Sequence, residues 1–134
     1  MTIMESKKDI TTLTDIQLLV NSFYGKVREN AVLGPIFNGV IKDNWQRHLE
    51  KMYTFWQTVL LEERTYEGRP FPPHAKLPID KTHFDTWLGI WTATVDENFT
   101  GPVADEAKWR GNKMAELFLY KLEYFRNGSG QALV

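Results

Sequence analysis

The chain has 134 residues, of which 43% are hydrophobic and 25% charged, with a formal net charge of −1. That length supports one hydrophobic core, and the charge balance leaves no basic surplus to meet a phosphate backbone, so nucleic acid is not an expected partner. Cysteine is absent, which removes disulfides, thiolate catalysis and cysteine-based zinc sites.

The opening stretch MTIMESKKDITT is polar and no later apolar run reaches bilayer-spanning length, so a cytoplasmic protein without a membrane partner is expected. No repeat or linker divides the chain. The reading is a single domain over 1–134, with 1–12 as a flexible N-terminal extension and 128–134 as a flexible tail. Aromatics make up 13% of the residues and five of them are tryptophan, which fits an aromatic core or a wide apolar slot.

The first helix is expected from about Thr14, with Gln17 at capping-box distance, to about Glu29. Its apolar stripe is Ile16, Val20, Phe23, Tyr24 and Val27. Gly34, Pro35 and Gly39 in LGPIFNGV then break the pattern. The second long helix is expected to open at Asp43, with Gln46 as its box partner, and to reach about Glu62. Trp45, His48, Met52, Trp56 and Val59 form its inner face. GRPFPP interrupts helix, and a short helical turn around His74 is allowed there. A third long helix follows Asp80, carrying Phe84, Trp87, Leu88, Trp91 and Val95 on one side. Thr100-Gly101-Pro102 starts the fourth, since proline suits a first helical turn. Its face is Ala107, Met114, Phe118, Leu122 and Phe125, and Asn127-Gly128 closes it. Strand signals are weak throughout, so the fold class is all-α.

The three histidines carry the chemistry. His48 lies on an apolar helical stripe, His74 sits among Pro70, Pro72, Pro73 and Pro78, and His83 lies four residues before Trp87. They offer no His-x-x-x-His pair and no evident carboxylate partner, which is a poor match to zinc or non-haem iron. A planar cofactor asks for one neutral imidazole as axial ligand and an apolar slot with few polar groups on the open side. Phe23, Phe37, Met52, Trp56, Phe71 and Trp87 can line such a slot. Tyr24, His48 and Trp87 each bring a hydrogen-bonding tip. The flanking prolines restrict the backbone around His74, so little ordering entropy remains to be lost when its ring is aimed. A cofactor-free helical interaction domain, with the aromatics as core, stays open on these grounds.

Five segments occur in order that resemble a known family: FYGKVREN with Tyr24, LGPIF with Phe37, WQRHLEKMYTFW with His48, PPHAKLPI with His74, and HFDTWLGIW with Trp87. Over nearly its whole length the chain resembles the truncated haemoglobins of group III. The resemblance implies a globin-like, two-over-two helical sandwich holding haem b (iron protoporphyrin IX), with His74 as the proximal iron ligand. It implies Tyr24, His48 and Trp87 as the distal polar residues. Met52 stands where the family often has an aliphatic residue, and Trp56 matches a tryptophan common in the group. The role of His83 does not carry over: it either touches the haem edge or caps a helix, and within the haem reading it is the alternative axial ligand to His74. Lys51, three residues after His48, is within reach of a haem propionate or is a solvated surface lysine.

The implied small ligands are O2, NO, CO or peroxide, with an unidentified reductase as electron donor where turnover needs one. Tyr24 and Trp87 are expected as direct donors to the ligand, and His48 either donates or gates the pocket. Several donors would retain a ligand strongly. Chemistry on O2, NO or peroxide, peroxidase-like or as a nitric oxide dioxygenase, is therefore expected rather than bulk transport, with a haem-based gas sensor as the alternative.

Overall fold

The structure, a computed structural model, describes residues 7–63, 79–124 and 126. Five helices follow in order: α1 (Leu13–Glu29), α2 (Gly34–Ile41), α3 (Trp45–Leu61), α4 (Lys81–Asn98) and α5 (Pro102–Tyr124). No strand occurs among the described residues, so the all-α expectation holds. Helix α1 packs on α3, and α4 on α5; the two pairs are layered mainly through α1 and α4, with α3 also meeting α5. This is the two-over-two sandwich, and α2 leans on α1 at its edge.

The predicted stripe of α1 is buried throughout, and Leu19 joins it. Its start lies earlier than the Thr14–Gln17 reading. Thr12 is the N-cap, its hydroxyl accepting from the Asp15 N–H at 3.2 Å. The Asp15 carboxylate in turn accepts from the Thr11 and Thr12 N–H groups at 2.9 and 3.1 Å. Asp15 wins over Gln17 because a short charged acceptor reaches the cap backbone while remaining buried at 6% exposure.

LGPIF forms helix rather than a mere break. Pro35 stands in the first turn of α2, where its missing N–H costs nothing, and Asn30 accepts from the Val32 and Leu33 N–H groups just before it. Helix α3 begins at Trp45 after Asn44, with no side-chain cap. Gln46 bonds Glu50 one turn on rather than boxing with Asp43. At the start of α4, Asp80 is the N-cap as expected, and His83 completes the box: the Asp80 N–H donates to His83 Nδ1 at 3.1 Å.

Residues 7–12, within the stretch expected as an extension, pack against the fold. Ile10 is fully buried, and Lys8 pairs with Phe99 in an isolated parallel bridge. Asp9 accepts from the Val103 and Ala104 N–H groups at 2.9 and 2.8 Å, capping α5 from across the fold. The cause is chemical: residues 7–12 bring one carboxylate, Asp9, to the start of α5, the Thr12 hydroxyl to the start of α1, and one apolar side chain, Ile10, to the core.

At the centre, Trp91 is fully buried and its indole N–H donates to the Ala107 carbonyl at 2.9 Å. Trp56 stacks on it at 4.4 Å between centroids and Phe23 meets it edge-on at 5.1 Å. On α5, Gly111 leaves the room the ring needs. A Cβ there would lie 2.5 Å from Trp91 Cδ1. No helix of the described residues is long and apolar enough to cross a membrane.

Two stability predictions follow from these contacts. Gly111→Ala should destabilise the fold by about 1–3 kcal/mol in denaturant titrations, because the clash with a fully buried indole outweighs alanine's better helix propensity. Burial alone pushes the Asp15 carboxyl up, but Lys8 and the Thr11 and Thr12 donors outweigh it and hold it at about 2, against an ordinary 3.8. A lowered acid pKa gives stability that is complete above the ordinary value and lost as pH falls through it toward 2. Asp15→Asn should therefore cost on the order of 2 kcal/mol at neutral pH and flatten the acid limb between about pH 4 and 2, read by thermal melts across that range.

Candidate functional site

Three helices bring the predicted polar tips toward one region. Successive positions on α1 place Phe23 and Tyr24 on its buried face. On α3, the spacing of three between Trp45 and His48 puts both rings on the stripe that meets α1. Tyr24 and His48 approach edge to face, with centroids 5.0 Å apart at 86°. Trp45 touches both, at 5.9 Å from Tyr24 and 5.8 Å from His48. On α4, Trp87 lies one turn before Trp91 and stacks on it at 5.8 Å and 13°. Phe23 links the two groups, 4.9 Å from Tyr24 and 5.3 Å from Trp87.

The donors of this cluster differ in how they are used. Trp91 spends its N–H on Ala107. Half-buried Trp87 has no acceptor for its N–H among the described residues. Tyr24 is 7% exposed, and its hydroxyl has no hydrogen-bond partner among the described residues. Burial pushes the Tyr24 phenol well above its ordinary value, so at neutral pH it is a neutral O–H donor. A phenol on a buried residue with no protein acceptor can donate to a ligand able to accept from it.

Comparison with known proteins agrees with this geometry. The family model for bacterial-like globins matches residues 9–117. The group 3 truncated hemoglobin ctb of Campylobacter jejuni is 33% identical over 113 residues, covering 79% of this chain and 89% of that protein. The crystal structure of the group III truncated hemoglobin from Campylobacter jejuni superposes with a TM-score of 0.80 at 30% identity, covering 87% of this chain and 95% of that one. The chain belongs to the group III truncated haemoglobins, within the bacterial-like globins. Membership implies a haem cofactor and haem-based binding of a gas.

The described side of this globin fits such a group. Apolar rings surround a donor, the Tyr24 hydroxyl, that has no acceptor among the described residues, the chemistry a small ligand on a flat cofactor requires. Of the remaining predicted residues, Phe37 is half-buried and tilted against Tyr24 at 6.0 Å, and Met52 is half-buried against the core. Trp56 is 3% exposed and committed to its stack on Trp91. Lys51 is exposed, and its carbonyl accepts from the Thr54 hydroxyl. His83 completes the cap of α4 through Nδ1, one of the roles open to it from sequence. His74 and Phe71 lie outside the described residues. Among those described, no group of three or more His, Asp or Glu gathers as a metal site. Trp45 is the residue sequence reasoning undervalued. Its signal was present, one helical turn before His48 on the same stripe, but that spacing alone reads as core.

Proposed function

We propose that this globin holds haem b through His74 and binds O2 and other diatomic ligands, with NO, CO and peroxide in the same class, for chemistry on the ligand rather than bulk transport. When bound, haem supplies an iron centre with a position open to a small ligand. Everything else falls to the side chains. Tyr24 donates its O–H to a ligand carrying partial negative charge, and Trp87, a donor only, adds its N–H from the α4 side. His48, held between Tyr24 and Trp45, flanks the same space and sets its polarity. Phe23, Phe37 and Met52 exclude water, which strengthens each donor.

The observation that supports this reading best is the Tyr24 hydroxyl, carried by a buried residue and with no protein acceptor among the described residues. A neutral hydrogen bond contributes about 1 kcal/mol and one to a charged acceptor about twice that. Two such donors slow ligand escape by on the order of 100-fold. A carrier must release its cargo, whereas a site that holds a polarised ligand keeps it long enough to react. Peroxidase-like turnover uses the donors to polarise an O–O bond. Nitric oxide dioxygenation draws its electrons from a separate reductase.

Tyr24→Phe should raise the O2 dissociation rate, measured by stopped-flow, by about tenfold or more; an unchanged rate removes Tyr24 from the ligand. His74→Ala should abolish the sharp Soret band and the carbon monoxide difference spectrum of the purified protein. A variant that kept both would shift the axial role to another residue, His83 first.

A further inference from the structure

On the side of α1 and α3 where their outer edges meet, the two helices leave a cleft of about 330 Å³. That volume is within the range of small-molecule sites. Its deep residues are Tyr24 and Trp45, both under a tenth exposed, and Leu49 stands beside them. Across its rim, Tyr53 donates its hydroxyl to the Asn21 side chain and ties α3 to α1. Its lining holds one cation, Arg28, and no acid.

Two features single out this cleft. The Arg28 guanidinium lies over the Trp45 ring, 4.5 Å from its centroid, and forms no ion pair with a carboxylate among the described residues. Stacking fixes the plane of the fork in advance, the arrangement that favours bidentate capture of a carboxylate. Beside it, Gly25 occupies the middle of α1, and a Cβ built there would meet nothing within 4 Å. Mid-helix glycine weakens a helix relative to alanine, and here no neighbour demands it. What the missing side chain provides is open space next to Arg28.

We propose that the α1–α3 cleft binds a small planar aromatic carboxylate, its carboxylate on Arg28 and its ring over Gly25 against Leu49 and Tyr53. The volume exceeds what a simple inorganic anion fills, and the aromatic and aliphatic lining suits a flat ring. Occupancy bears on function through contact. The cleft's deep rings, Tyr24 and Trp45, are the same two that meet His48. A bound carboxylate therefore touches the ring cluster directly, as an effector would. The site does not depend on the haem reading.

Benzoate titrated into the full-length protein should produce saturable shifts, in two-dimensional proton–nitrogen NMR, at the Gly25 amide, the Arg28 Nε–H and the Trp45 indole N–H. Arg28→Gln should weaken the apparent Kd at least tenfold, and Gly25→Leu, which fills the space, should abolish saturation. Both positions are exposed, and an unmoved Trp91 indole resonance reports that each variant is folded. Benzamide, the uncharged analogue, should bind native protein at least tenfold more weakly, which tests the charge assignment without any substitution. Absence of saturable shifts in the native protein, equal binding of benzamide, or native-like benzoate binding by either folded variant would each overturn the proposal.

Discussion

The Trp91 indole touches all three of the other long helices at once. It meets α1 through Phe23 at 5.1 Å and α3 through Trp56 at 4.4 Å, and donates to the α5 carbonyl of Ala107 at 2.9 Å. A ring of this size brings a large apolar area into the core, and its one polar atom is satisfied, so nothing is lost in burying it. Gly111 is the counterpart on α5, because only a residue without a Cβ lets the backbone come so close. Two layers of two helices thus share one rigid element, and their separation is set by the thickness of stacked rings.

The ring cluster inherits its precision from that element. Trp87 is one turn from Trp91 on α4 and nearly parallel to it, so its orientation is fixed by the core rather than by the cofactor side. Phe23 touches Trp91, Trp87 and Tyr24 together, which transmits the same constraint to the phenol on α1. Trp45 does the equivalent for His48 from α3. Side chains held this way by packing lose little rotamer freedom when a ligand arrives, so most of each hydrogen bond appears as binding.

Much of this was legible in the sequence, and the reasons differ by residue. The α1 stripe was read correctly because five apolar residues recur at three and four and every one is buried. The segments around Tyr24, His48 and Trp87 carried enough pattern to indicate the family. The start of α1 was misplaced because Thr12–Asp15 and Thr14–Gln17 share capping-box spacing, and that of α3 because Asp43–Gln46 has the spacing while no side chain caps that helix. Asp9 was invisible, since its partners Val103 and Ala104 are distant in sequence and a carboxylate near a chain end reads as solvated. Gly111 was likewise silent: a glycine inside a helical pattern reads as a weak spot, and its meaning appears only once Trp91 lies against it. The α2 helix was missed because glycine and proline usually punctuate, yet Pro35 falls at the one helical turn that tolerates it.

The contrast between Trp91 and Tyr24 shows where stability and function part. Both are large, buried and amphipathic, and a core selected for stability alone would give each tip an acceptor. Trp91 has one. Tyr24 does not among the described residues, and burial keeps its phenol a neutral donor. Stability is supplied outside the ring cluster, by Asp9 before α1 and Asp15 in its first turn. Asp15 fixes the start of the helix that carries Tyr24, and Asp9 fixes the start of the helix that carries Ala107 and Gly111. These carboxylates accept from backbone donors that would otherwise be unsatisfied, and they do so at helix N-termini, where negative charge is favoured. The stabilising carboxylates fix helix starts without touching the Tyr24 phenol, so that hydroxyl stays without a partner among the described residues while the scaffold that aims it stays firm.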